Sequence, residues 1–318
     1  MIQSTADLCR LVQLSAEQLS IDPESPFPLK VPKHFAEQIE KGNPQDPLLL
    51  QILPSMKEKV AAAGFAKDPV GDLQANPIPS LLHKYHGRAL LITSPRCDIH
   101  CRYCFRRHFP YEQAKKAHWQ EALDYLKKTP SIHEVILSGG DPFTLSENAL
   151  IDLLEQLERL PHLETLRIHS RTPVVAPERA DKSGWIEALA HSRFNVVLVV
   201  HCNHPNELSD STHTLFRRYQ AAGITLLNQS VLLKGVNDNT ETLKQLSKKL
   251  FNQGVLPYYC HLLDRVEGAS HFEVSSPLAW QIFDDLRKAL PGYLVPRMVT
   301  EIAGEPYKTL IQTPGPNG

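Results

Sequence analysis

Cys97, Cys101 and Cys104 fall within eight residues of the stretch RCDIHCRYCFRRHFPY, at the spacing C-x3-C-x2-C. Thiolates are ligands for soft metals, and three on one loop can hold three irons of a cubane while the fourth iron keeps no protein ligand. An open iron is a place for a cofactor or substrate to bind. The competing arrangement is zinc, for which His100 or His108 would have to supply a fourth ligand, although closed zinc sites usually draw on two separated pairs. The other cysteines, Cys9, Cys202 and Cys260, stand singly along the chain. Crowding of this kind, in a chain that opens without a secretory leader, points to a metal before disulfides. Tyr103, between the last two cysteines, has a ring that either lies against a cofactor or packs in the core.

Such a loop needs a frame. Six short β-rich runs begin at Ala89 (ALLITS), Glu134 (EVILSGG), Thr165 (TLRIHS), Asn195 (NVVLVVHC), Ile224 (ITLLNQS) and Leu256 (LPYYCHLL), and amphipathic stretches such as ENALIDLLEQLERL separate them. Apolar strands alternating with helical crossovers make a parallel sheet covered by helices. The fold class expected is α/β, an incomplete (β/α)6 barrel in place of the usual eight units. Loops after the strands' C-terminal ends then converge on one mouth. The cysteines follow the first run, SGGDP the second, HSR the third, HCNHPNE the fourth, NQS the fifth and LDRVEG the sixth. All the unusual motifs therefore meet in one composite site. Residues 1–80 are punctuated by prolines and read as an N-terminal helical extension. The barrel is expected over 81–293, and 294–318, which loses the period, is expected to close over it.

Lysine plus arginine number 34 against 35 aspartate plus glutamate in 318 residues, so no global field marks a nucleic-acid or membrane binder. No stretch approaches the roughly 18 apolar residues of a membrane span. A cytoplasmic location is expected.

The cysteine motif after the first strand, with a glycine-rich motif after the second, resembles the radical S-adenosylmethionine enzymes. The phrases HKYHGRALL, CRYCFRRHFPY, LSGGDP, RIHSRTPVV, HCNHPNE, LLNQSVLLKGVNDN, PYYCHLLDRVEGASHF and GEPYKT carry the likeness from Pro26 to Thr309. Together they are similar to the lysine 2,3-aminomutases, most of all to the branch that makes β-lysine for modifying elongation factor P. The resemblance implies a 4Fe-4S cluster, S-adenosyl-L-methionine and pyridoxal 5′-phosphate as cofactors, lysine as substrate, and an unidentified electron donor.

It also implies roles. Cys97, Cys101 and Cys104 would hold the cluster, and Lys308 in GEPYKT would bind pyridoxal phosphate covalently and take part in catalysis. Gly139, Gly140 and Asp141 match the motif near the methionine end of S-adenosylmethionine, where glycine lets backbone approach a ligand amine. Arg88 would meet the cofactor phosphate, with Lys84 a weaker second, and Arg106 the substrate carboxylate. Arg107 fits a solvated charge or a structural ion pair equally well. Asp264 and Glu301 would receive the ε-ammonium of lysine, Glu301 standing where the family has an aspartate. His201, His204, Asn228 and Gln229 sit at strand ends with roles left open. The long family members end in a cysteine-bearing zinc segment that has no counterpart here, so no zinc is expected. Two acids at the distal end argue against an aminomutase for glutamate. An iron–sulfur electron carrier would close its cluster with four ligands. A non-catalytic partner of elongation factor P is the third alternative, and turnover of free lysine would separate it from an enzyme.

Overall fold

The structure, a computed structural model, describes residues 1–113 and 118–311; the end of the expected closing segment, 312–318, lies outside them. One sheet carries the chain in sequence order: β1 (Leu81–Tyr85), β2 (Arg88–Ser94), β3 (Glu134–Gly139), β4 (Thr165–Ser170), β5 (Asn195–His201), β6 (Thr225–Val231), β7 (Leu256–His261), β8 (Arg297–Thr300) and β9 (Thr309–Leu310). Strands β2 to β8 are parallel neighbours, and β1 and β9 flank them antiparallel. Helices such as Trp119–Lys128, Glu147–Glu158, Asp210–Ala221 and Thr240–Asn252 return the chain between strands.

Two features depart from the sequence expectation. The parallel run has a seventh strand, β8, and the tail that loses the period supplies both β8 and β9. At four and two residues they are too short to show a period of two. The hairpin into β2 was also hidden, because β1 pairs through a two-residue turn at His86 and Gly87, where Gly87 takes φ 78° at a position that favours glycine.

Alternation along the strands sorts core from site. In β4, Leu166 and Ile168 are buried in the core, while Arg167 and His169 face the interior of the half-barrel. In β6, Leu226 lies in the core and Leu227 and Gln229 face inward. The expected continuous apolar runs are thus interrupted on the inner side, because that side lines a cavity and not a packed barrel core.

Residues 1–80 hold short helical elements such as Thr5–Val12, and Leu8, Phe35, Leu48 and Leu49 join the same core cluster as the barrel's helices. They also grip the cysteine loop. The fully buried Arg102 guanidinium donates to Glu58 Oε2 and Oε1 at 2.6 and 2.7 Å and to the Phe27 carbonyl at 2.7 Å. Lys30 Nζ donates to the Cys97 carbonyl at 2.6 Å, and His100 N to the Lys30 carbonyl at 2.9 Å.

Candidate active site

A cavity of about 670 Å³ runs along the inner face of the strands, from Arg88 and Glu134 at the starts of β2 and β3 to the cysteine loop beyond the end of β2, and is lined round to the tail. Its size falls in the range of small-molecule sites, about 300 to 1,000 Å³. Chemistry gathers at two ends.

At the first end lie Cys97, Cys101 and Cys104, all free thiols facing the cavity. Tight turns set the loop, with Cys104 N donating to the Cys101 carbonyl and Arg107 N to the Cys104 carbonyl, both at 3.1 Å. Burial, then the charge of neighbouring Cys104, pushes the Cys97 thiol well up. Burial and the Cys101 charge push Cys104 to about 11. Thiols that oppose one another's ionisation in this way need a bound cation to become thiolates together, and that is the chemistry of an iron–sulfur donor set. Among the described residues no three His, Cys, Asp or Glu side chains, these cysteines included, converge as ligands of a metal ion, so the cluster reading rests on the cysteines' shared loop and cavity.

Gly139 and Gly140 do fit a tight approach, although the partner is protein. A Cβ on Gly140 would lie 2.2 Å from the Arg96 carbonyl oxygen, and one on Gly139 2.6 Å from Ile92 Cγ2. The glycines let the end of β3 press against the end of β2, and both also line the cavity. Asp141 is likewise engaged: its carboxylate accepts from Ser170 Oγ at 2.7 Å, Arg171 N at 2.8 Å and the Phe143 and Thr172 amides at 3.0 Å. It ties the β3 loop to the β4 loop.

At the second end an alternating chain of charges runs through Arg106, Asp72, Lys84, Glu301 and Lys308. Arg106 Nε donates to Asp72 Oδ2 at 2.6 Å, Lys84 Nζ lies 2.6 Å from Asp72 Oδ1 and 2.8 Å from Glu301 Oε1, and Lys308 Nζ donates to Glu301 Oε2 at 2.6 Å. Burial would raise the Glu301 carboxyl, but the Lys308 and Lys84 ammoniums outweigh it and hold Glu301 near 2. Asp264 shows the opposite balance. Burial first, then the Glu301 charge, pushes it up to about 7. Arg88 stacks its guanidinium 4.5 Å from the Tyr85 ring centre and also lines the cavity.

Of the residues left open, His201 and Gln229 line the cavity, with the His201 ring 5.7 Å from that of Tyr103. Asn228 bonds the backbone of Cys202, and His204 caps a short turn at Pro205–Glu207. Tyr103 is buried and its hydroxyl sits in a polar network. Arg107 is a structural pair, 2.6 Å from Glu58 Oε2.

Sequence reasoning missed Asp72, Glu134, Arg167 and His169. Arg167 Nη2 donates to Glu134 Oε2 at 2.6 Å, while Arg167 Nε and His169 Nε2 are buried without a hydrogen-bond partner among the described residues. Unpartnered nitrogens in a cavity that Lys308 and Arg88 also line suit an anionic cofactor such as a phosphate ester. The signal was present, since polar residues at every second position of TLRIHS face one side of a strand.

A model of the radical SAM superfamily matches residues 91–246. The chain is 51% identical over 89% of its length to an L-lysine 2,3-aminomutase of Haemophilus influenzae, covering 84% of that protein. It is 48% identical over 95% of its length to the L-lysine 2,3-aminomutase of Escherichia coli, covering 90% of it. This chain belongs to the lysine 2,3-aminomutase family of radical S-adenosylmethionine enzymes. With the family protein of Clostridium subterminale the identity is 35%, and the chain covers 68% of that longer protein. The family match runs from within β2 into the helix Thr240–Asn252, and Asp264, Glu301 and Lys308 lie beyond it.

Proposed function

We propose that the cavity is the active site of an L-lysine 2,3-aminomutase, an isomerase that moves the α-nitrogen of lysine to C3 to give β-lysine. The observation that carries this reading is that one cavity joins three thiols at one end to Lys308 and an acid pair at the other. The cofactors are a 4Fe-4S cluster, S-adenosyl-L-methionine and pyridoxal 5′-phosphate. When bound they supply a radical that takes hydrogen from lysine and a carbonyl that carries its nitrogen.

This chain's residues bind and position. Cys97, Cys101 and Cys104 hold the cluster, and Gly139, Gly140 and Asp141 shape the turn beside the methionine end of S-adenosylmethionine. Lys308 would carry pyridoxal phosphate, and Arg88, with the unpartnered Arg167 Nε and His169 Nε2 on the same cavity wall, would hold its phosphate; Lys84, already bonded to Asp72 and Glu301, would add positive charge nearby. Asp72 takes Nε of Arg106 and Ser138 Oγ accepts a long bond of 3.5 Å from Nη1, which leaves Nη2 and the second hydrogen of Nη1 for the substrate carboxylate. Asp264, raised by burial and then by the Glu301 charge, and Glu301 receive the ε-ammonium. The chain divides into an extension over 1–80 that clamps the cysteine loop, a barrel over 81–293 and a segment over 294–318 whose β8 and β9 extend the barrel's sheet and bring Lys308 to the cavity.

The greater identity to the Haemophilus and Escherichia proteins, 51% and 48% against 35% for the clostridial one, supports the branch that provides β-lysine for elongation factor P. No described helix is long and apolar enough to cross a membrane, which accords with a cytoplasmic place. The test is anaerobic reconstitution with iron, sulfide, S-adenosylmethionine and pyridoxal phosphate, then chromatography of products from lysine and from glutamate. β-Lysine from lysine is expected; β-glutamate in preference to it would overturn the reading.

A further inference from the structure

Arg171 follows β4 in the phrase HSRT, and no role given above uses its side chain. Its guanidinium crosses 70 positions of sequence to the cysteine loop, where Nη1 lies 2.7 Å from Cys101 Sγ and also meets the Tyr103 hydroxyl. Nη2 donates to Gln51 Oε1 at 2.8 Å and to Glu207 Oε2 at 3.2 Å. Asn203 Nδ2 donates to the same Tyr103 hydroxyl at 2.6 Å, which fixes that hydroxyl and the plane of the fork against it. The residue is 7% exposed, and its backbone N is held by Asp141 Oδ2 at 2.8 Å. The group is therefore a buried, permanently charged donor aimed at one sulfur, with its counter-charge on the far nitrogen.

We infer that Arg171 tunes the cluster, donating a charged hydrogen bond to the Cys101 sulfur that makes the cluster easier to reduce. This rests on the reading of Cys101 as an iron ligand. One electron from an external one-electron donor takes the oxidised cluster to its reduced form; no bond breaks and the guanidinium keeps its protons. The reduced form carries more negative charge on its thiolates, so a fixed cation beside one of them stabilises that form more than the oxidised one. A merely structural cation would support the fold and leave the potential unmoved. Arg171 is a positioning residue in this sense: it acts on the reaction through Cys101.

The test is a redox titration of the anaerobically reconstituted full chain with dithionite, followed by electron paramagnetic resonance, for the parent, Arg171→Gln and Arg171→Lys. With iron content unchanged, Arg171→Gln should lower the ratio of reduced to oxidised cluster about tenfold at a fixed potential, which is a midpoint lower by about 59 mV for one electron. Arg171→Lys, which keeps the charge, should fall between the two. The reduced parent should also show a hyperfine-coupled proton that exchanges in heavy water, and this measurement decides the matter if Arg171→Gln fails to hold iron. An unchanged ratio in Arg171→Gln with its iron in place, or no exchangeable coupled proton in the parent, overturns the inference. A parent that takes up no iron would instead remove the reading of Cys101 as a ligand.

Discussion

Asp264→Asn should make the cofactor-free protein more stable and the enzyme worse. Asp264 lines the cavity near Glu301, and its carboxyl is pushed up to about 7 by burial and then by the Glu301 charge. An aspartate in the unfolded chain loses its proton near 3.9. The folded protein therefore binds the extra proton between about pH 4 and 7; the stability this group contributes is whole below pH 4 and lost as pH rises through 7. Three units correspond to about 4 kcal/mol, and relaxation and water entry bring this to about 2 kcal/mol. Urea unfolding at pH 8 should find Asp264→Asn more stable than the parent by about 2 kcal/mol, and at pH 5 the gain should fall to about a third of that. Lysine turnover should drop about 10- to 100-fold, the effect of losing a charged hydrogen bond of 1.5 to 3 kcal/mol to the substrate ammonium. A variant no more stable than the parent at pH 8, or one that rearranges lysine equally well, would refute the reasoning.

Gly140→Ala puts a Cβ 2.2 Å from the Arg96 carbonyl and should cost about 3 kcal/mol or more, read as a lower urea midpoint together with reduced iron content. Lys308→Ala should lose the covalent pyridoxal phosphate absorbance and keep the cluster, because Lys308 bonds Glu301 at the end of the cavity away from the cysteines; an unchanged cofactor spectrum would place the attachment elsewhere. Serine at Cys97, Cys101 or Cys104 should abolish the cluster's electron paramagnetic resonance signal, whereas serine at Cys9 or Cys260, outside the cavity, should leave it intact.

Much of the frame was legible because β2 to β7 carry apolar residues in continuous or alternating runs and the crossover helices an amphipathic period. The cysteine loop and the convergence of the strand-end motifs followed from that order. The strands β8 and β9 were not legible, being too short for a period to show. Asp72 was hidden in a proline-rich stretch, and only the fold brings its carboxylate between Arg106 and Lys84. Glu58 and Arg102, 44 positions apart, form the clamp on the cysteine loop for the same kind of reason. Gly139 and Gly140 were found for their approach to a ligand, and the fold adds a second reason for them: their missing side chains make room for β2 and its loop. Arg167 and His169 could have been read from the alternation in TLRIHS, had the inner face of the strands been taken as a cavity wall in place of a packed core.

The central claim is that the cysteines and Lys308 serve one substrate in one cavity. Lysine deuterated at C3, turned over by the reconstituted protein with S-adenosylmethionine and pyridoxal phosphate, tests it most directly by mass spectrometry of the recovered adenosyl compounds. Deuterium in S-adenosylmethionine or 5′-deoxyadenosine, together with β-lysine, is the predicted result. Adenosyl compounds without deuterium, while β-lysine still forms, would contradict the account.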